Sequence, residues 1–468
     1  MEALTDAKEW AREQLATASF GNARRRMRCE SMLRRAAERP AGRLTEVFDD
    51  AAELQAAYNF VEGSVAPEAI VGALAEATLR AACDDPFVYV PVDGSSLSLT
   101  DRSKSKDFGS IGMRAYPTRG LKVIDAIAVD PHGTPLGLLA LRSWARGAKK
   151  PGSRWVRRRD GDTEMQHWVQ VIDQVADNAK AAKVTPWFVI DREGDCGDIL
   201  RSLTRSEGLF TVRVAQHRRH CIGGGKRGAL IKYMGRRPVL GTHFVDLPRG
   251  PQRSPRVAAL EVRIGRVTLD LPDHRTGQRT PLEVHIVWAS ERHPPRGQEA
   301  LDWMLLTNRP VHSPAHAVDI IESYCHRWRI EDFHRTWKRG HCRVEDTQLR
   351  SRDHVVRWAI MLAAVALRVE RLKHLARTQP DSPATVELSP MEIDALRAAK
   401  RTRFRKRTET ITDAIPSIAT AVFWIAQFGG FQGKTAAHAG ATTIGRGLQK
   451  LLVFAAGFAA ARKISHEH

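Results

Sequence analysis

Residues 324–340 read YCHRWRIEDFHRTWKRG, and Arg327, Arg329, Arg335, Lys338 and Arg339 surround the carboxylate Glu331. At about 100° per residue, Tyr324, Arg327, Glu331, Arg335 and Lys338 share an arc of about 80° on a helical wheel. Ile330, Phe333 and Trp337 fall on the opposite side. A carboxylate can bind a metal ion, and the cations around it can bind phosphate. The plainer alternative is a solvated helix with Arg327–Glu331 and Glu331–Arg335 pairs, worth about 0.2–0.5 kcal/mol each.

Two further acids favour the first reading. Asp93 follows the apolar run FVYVPV, and Asp191 follows WFVI. Carboxylates at the carboxyl ends of strands in an α/β sheet project into one crevice. Either alone would also suit a turn or a cap. Three carboxylates from two strands and a helix offer a hard, all-oxygen cradle of the kind Mg²⁺ prefers. Two such ions about 3.5–4 Å apart stabilise both the attacking and the leaving oxygen of an in-line phosphoryl displacement. The cations beside Glu331 then hold the phosphates of a DNA strand. The remaining acids have simpler places: Asp125 within a strand, Asp130 opening a turn, Asp195 and Asp198 capping the helix after Asp191, Glu193 towards solvent, and Asp332 off the cationic stripe.

These residues need elements to carry them. Residues 1–80 read as helices, with a basic cluster at Arg24, Arg25, Arg26, Arg28, Arg34 and Arg35 and a helix start at Pro67. FVYVPVDGSSLSL, KVIDAIAVD and PLGLLALRSWA form a strand meander, the last two joined by the turn PHGT. A helical stretch over 162–182, a strand ending at Asp191, a helix and the strand GLFTVRVA follow. That order predicts an α/β fold with a mixed sheet. Residues 217–312 read as a β-rich insertion, opened by a Gly- and Arg-rich loop over 217–237. A helix then resumes near Ala315 and runs through the segment quoted above, and a second, apolar helix covers 353–374. DSPATVELSP reads as a linker, and the basic run RTRFRKR (401–407) precedes two apolar C-terminal helices.

The composition agrees with a polyanionic partner. Lys and Arg total 73 against 53 acids, a formal charge of +20 over 468 residues, which points to nucleic acid before an anionic membrane surface. The six cysteines are scattered and match neither a disulfide framework nor a standard zinc spacing. The N-terminus lacks an apolar signal core, and the run LLVFAAGFAAA is too short to span a bilayer. The expectation is a soluble, cytoplasmic protein.

With these residues in view, the chain resembles the DDE transposases of the Tn-five type, in the insertion-sequence-four family. FGNARRRMR is similar to the family's end-binding segment, VDGSSLS and VIDREGD to its two aspartate motifs, and YCHRWRIEDFHRTWK to its Tyr-Arg-Glu-Lys signature. Tyr324, Arg327, Glu331 and Lys338 stand in the four signature places. GGFQGK and the final helices resemble the dimerisation region. Arg335 stands where close relatives carry Lys, and VDGSS replaces a Thr-bearing version of the first motif.

The resemblance implies an RNase H-like catalytic core over 81–375 with the 217–312 insertion. It is flanked by an α-helical DNA-binding domain (1–80) and an α-helical dimerisation region (376–468). It implies Asp93, Asp191 and Glu331 as catalytic metal ligands for two Mg²⁺ ions, with Mn²⁺ able to substitute. Tyr324, Arg327, Arg335 and Lys338 would hold DNA, Trp303 would stack an extruded base, and Arg24, Arg25, Arg26 and Arg28 would touch the end sequence. The implied activity is cut-and-paste transposition: cleavage at transposon ends through a hairpin, then strand transfer into target DNA by a homodimer in a synaptic complex, in a bacterial cytoplasm and on the nucleoid when bound to DNA. Two other classes stay open at this point, a DNA-binding regulator that does not cut and a structure-selective nuclease that cannot join strands.

Overall fold

The computed structural model describes residues 7–112, 118–147, 163–217, 219–247, 254–272, 278–404, 411–433 and 438–466. Five helices open the chain: α1 (Ala7–Gln14), α2 (Ala23–Glu38), α3 (Leu44–Val47), α4 (Ala51–Val61) and α5 (Pro67–Ala81). Strands β1 (Val88–Ser98), β2 (Gly109–Ser110), β3 (Arg119–Val129) and β4 (Pro135–Trp144) follow. Next come α6 (Glu164–Ala182), β5 (Pro186–Ile190), α7 (Gly197–Arg205) and β6 (Leu209–Arg213). The insertion holds β7 (His220–Gly223), β8 (Lys226–Ala229), α8 (Leu230–Gly235), β9 (Gly241–Leu247), β10 (Arg256–Pro272), β11 (Arg279–Glu291) and β12 (Asp302–Thr307). The rest is helical: α9 (Pro314–His326), α10 (Trp328–Lys338), α11 (Arg352–Thr378), α12 (Pro390–Ala399), α13 (Ile418–Phe428) and α14 (Ala441–His466). Among the described residues, no helix is long and apolar enough to cross a membrane.

The chain forms two compact units, one of Met1–Asp85, Gly94–Ala148 and Arg329–His468, the other of Pro86–Asp93 and Lys149–Trp328. The second unit is built on a mixed sheet. β1 pairs in parallel with β5, and β5 in parallel with β6. From β6 outward the sheet is antiparallel, through β12, β11 and β10, with β9 and then β7 and β8 beyond. The insertion is therefore not a separate module. Its last strand returns to pair with β6, Leu306 opposite Val212. β5 reads PWFVI and is buried along its whole length, as parallel strands covered on both faces must be.

In the first unit β3 and β4 form a hairpin whose turn is tied by Asp130, the expected turn residue. Its Oδ1 accepts from the backbone of His132 at 2.9 Å and of Thr134 at 2.8 Å. The two-residue β2, too short to show a pattern in the sequence, adds to β3. α5 starts at Pro67 as expected and lies against β4 together with α11. α11 is buried nearly all round. The N-terminal helices are tied to it through the indole of Trp358, which donates to Gly42 O at 3.0 Å, and through Arg357, which reaches Val61 O at 2.7 Å. The segment 381–390, expected to be a linker, is instead packed in. Leu388 and Ser389 are fully buried, and Ser389 forms a capping box with Glu392 at the head of α12.

Candidate active site

The register of β1 on β5 brings two acids side by side. Val92 pairs with Ile190, and the next residue on each strand is an aspartate, Asp93 and Asp191. Adjacent strands lie roughly 4.8 Å apart, so the two aspartates are neighbours across the sheet; Asp191 follows the end of β5 as expected, whereas Asp93 lies within β1, which runs on to Ser98. Asp191 caps the 3₁₀ turn Arg192–Gly194, accepting from the Arg192 backbone at 2.8 Å.

Asp191 is also engaged from three other positions. The Tyr324 phenol donates to its Oδ1 at 3.0 Å. Arg213 Nη1 lies 3.6 Å from Oδ1, and Arg327 Nη2 lies 3.8 Å from Oδ2. Burial opposes ionisation, but Arg327, the Arg192 backbone, Arg213 and Tyr324 outweigh it and hold the carboxyl below its ordinary range. Tyr324 moves the other way. Burial, with Asp191 adding to it against the pull of Arg327, pushes its phenol up to about 12, so it stays a proton donor. An ionised, partly exposed aspartate beside a second one is a donor set that suits a hard divalent cation.

Tyr324 and Arg327 differ from their expected setting on an open stripe. They are 1% and 5% exposed. The helix is not continuous: α9 ends at His326, Arg327 N–H bonds back to Tyr324 O at 3.1 Å, and α10 begins at Trp328. The Arg327 guanidinium lies 5.8 Å from the Tyr324 ring centre. Trp303 stands in β12 and is 4% exposed, its ring edge-on to Tyr324 at 5.2 Å.

In the other unit, α10 buries Ile330, Phe333 and Trp337 completely and leaves Glu331 and Arg335 exposed. Arg335 pairs with Asp332 at 3.0 Å. Lys338 Nζ donates to Ser95 Oγ at 3.2 Å and lies 3.8 Å from Glu345 Oε1. Burial lowers the Lys338 ammonium, and Glu345 works against that shift. Glu345, unnoticed in the sequence, also accepts from the Ser98 backbone at 2.8 Å and from Arg339 at 2.6 Å.

Other acids stand away from their expected places. Asp195 does not cap α7. It is buried, accepts from the backbones of Ala215 (2.8 Å) and Gln216 (3.0 Å), and pairs with Arg219. The N-cap of α7 is Cys196, without a side-chain bond, and Asp198 pairs with Arg201 in the first turn. Glu193 is exposed, as expected. The clearest omission is Arg213. It ends a strand that only the sheet register places beside Asp191.

Arg24, Arg25 and Arg26 are exposed and Arg28 half-exposed on the first turns of α2, which Asn22 caps at 2.9 Å. Arg25 reaches Phe20 O at 3.2 Å and Arg26 lies 3.4 Å from Glu30. The same helix buries Cys29, Met32, Leu33, Ala36 and Ala37. Of the basic run 401–407, residues 405–407 lie outside the described residues, as do Arg218 in the 217–237 loop and Lys434 in GGFQGK.

Three family models match the chain: Transposase DNA-binding over residues 7–64, Transposase DDE domain over 160–368, and Transposase Tn5 dimerisation domain over 364–468. The chain is a Tn5-type DDE transposase. It is thus a metal-dependent enzyme that cleaves and joins DNA. The transposase carries a DNA-binding segment at its N-terminal end and a dimerisation segment at its C-terminal end, so DNA and a second copy of itself are its partners. The expected order of helical DNA-binding region, mixed α/β core and helical dimerisation region matches this layout.

Proposed function

We propose that this transposase works by cut-and-paste, with Asp93, Asp191 and Glu331 holding two Mg²⁺ ions, or Mn²⁺ in their place. The observation that carries the reading is the pair of aspartates one residue beyond the Val92–Ile190 match, with Asp191 kept ionised. Bound there, divalent ions supply Lewis-acid stabilisation of the oxygens that attack and leave phosphorus.

The chain's own groups prepare the site. Tyr324 fixes Oδ1 of Asp191 in direction, and Arg213 and Arg327 offset its charge until the site is loaded. Lys338, held at Ser95, and the exposed Arg335 grip backbone phosphates of the DNA end. In this reading a nick exposes a 3′-OH, which attacks the opposite strand to close a hairpin. Water reopens it, and the freed 3′-OH attacks target DNA. Hairpin closure needs sharply bent DNA, which an extruded base relieves at a cost of a few kcal/mol. Trp303 is the proposed stacking surface, and its ring must then part from Tyr324 to receive the base.

The segment 1–80 would bind the end sequence through Arg24, Arg25, Arg26 and Arg28, residues 81–375 would carry catalysis, and 376–468 would join two copies in a synaptic complex on the nucleoid. Incubation with the DNA flanking its own gene, with and without Mg²⁺, tests the reading. Nicked, hairpin and strand-transfer products appearing in that order support it. Nicks alone reduce the protein to a nuclease, and binding without any cut reduces it to a regulator.

A further inference from the structure

Four ionisable side chains gather between α10 and α11, where Asp332 stands about 100° round α10 from Glu331. Lys373 Nζ donates to Asp332 Oδ2 at 2.8 Å and also bonds Glu370. His374 Nε2 lies 3.5 Å from Asp332 Oδ2 and 3.7 Å from Glu370 Oε2, and Thr336 donates to Glu370. Lys373, His374 and Glu370 are buried. Asp332, Glu370 and His374 are metal-ligand types whose donor atoms lie within 4.8 Å of one another. The Lys373 ammonium, however, already supplies the cation between the two carboxylates.

Burial drives His374 down to about 3, against the pull of Asp332, so it is neutral at physiological pH. Such a cluster is an expensive way to join two helices, because apolar side chains of the same volume hold at least as well. What it adds is direction: charged partners meet in one geometry, whereas apolar faces slide. α10 is tethered to other elements too. Arg329 donates to Gly133 O at 2.7 Å, His334 meets Asp125 at 2.8 Å, and Trp337 donates to Ala359 O at 2.9 Å. Of these tethers, the cluster is the one that holds Asp332, the residue next to Glu331.

We infer that the Asp332–Lys373–Glu370–His374 cluster is a positioning device that sets the rotation of α10 about its axis and so aims the Glu331 carboxylate. The inference rests on the reading of Glu331 as a metal ligand. A helix with its side chains is about 10–12 Å across, so a turn of about 20° moves a surface carboxylate by about 2 Å. A misplacement of about 1 Å can cost about 100-fold in rate.

The test uses the full chain bound to end DNA. Its variants are Asp332→Asn with Lys373→Met, which removes both charges of that pair, Lys373→Arg, which keeps both, and Glu331→Ala as reference. Mn²⁺ binding by electron paramagnetic resonance, cleavage rate against metal concentration, and end affinity are measured. The double variant is expected to bind ends as the parent does, to need about 10-fold more Mn²⁺ for half-occupancy, and to cut about 10- to 100-fold more slowly. Lys373→Arg is expected to stay within a few-fold of the parent. Parental Mn²⁺ occupancy and rate in the double variant overturn the inference. If that variant does not fold, Thr336→Val, which removes the hydroxyl donor to Glu370 with little change of shape and leaves Lys373 in place, is expected to give a smaller shift in the same direction. Parental values there overturn the inference equally. Cleavage by Glu331→Ala would instead sink the reading of Glu331 itself, whatever the cluster variants do.

Discussion

The Tyr324 phenol donates to Oδ1 of Asp191 at 3.0 Å, from a ring that is 1% exposed. A donor to the charged form lowers a carboxyl pKa, and this one acts alongside Arg327, the Arg192 backbone and Arg213. Tyr324→Phe removes the donor and keeps the ring. The Asp191 pKa should then rise, and the acid limb of the cleavage pH profile should move to higher pH. A profile that stays put would mean the phenol serves packing alone.

Trp303 separates the hairpin from the nick. Trp303→Leu keeps an apolar group in the buried site against Tyr324 but removes the stacking face. The first nick is expected to proceed within about 3-fold of the parent, while hairpin closure falls by about 10-fold or more, since base–aromatic stacking is worth about 1–3 kcal/mol. Equal loss in both steps on a product gel would return Trp303 to the core.

The exposed arginines at the start of α2 should answer to salt. Arg24→Ala combined with Arg28→Ala should weaken end binding and flatten its dependence on log salt, by about 0.9 for each phosphate left without its cation. Filter binding at several ionic strengths measures the slope. An unchanged slope with unchanged affinity would leave these side chains as solvated surface.

Close backbone approach joins α13 and α14, within the segment matched to the dimerisation family. A Cβ on Gly447 would lie 1.8 Å from Ile425 O, and one on Gly429 would lie 1.9 Å from Thr443 O. Both approaches are to backbone, so no side chain can swing aside. Gly447→Ala should destabilise the helix pair by about 1–3 kcal/mol or more and weaken self-association, as read by thermal unfolding and sedimentation. Parental values for both would show that the helices can part without loss.

Much of the candidate site is legible in local pattern. Asp93 and Asp191 announce themselves because each ends a continuous apolar run, the pattern of a buried strand. The buried face of α10 follows from Ile330, Phe333 and Trp337 at helical spacing, and all three are fully buried. What local pattern does not show depends on pairing between distant segments. Arg213 reaches Asp191 only because β6 lies in register beside β5. Asp195 resembles a cap because a helix follows it, yet it ties down the chain after β6. The one-residue interruption at Arg327 carries neither glycine nor proline to mark it, so the sequence reads as one continuous helix there. The segment 381–390 has the composition of a linker, but its apolar and capping residues are packed away.

The most direct test of the account is cleavage of the transposon's own end DNA in Mg²⁺ by Asp93→Ala, Asp191→Ala and Glu331→Ala, each with its end affinity measured in parallel. All three are predicted to bind ends within a few-fold of the parent and to yield no nicked product. Measurable nicking by any one of them would remove that carboxylate from the site and contradict the account.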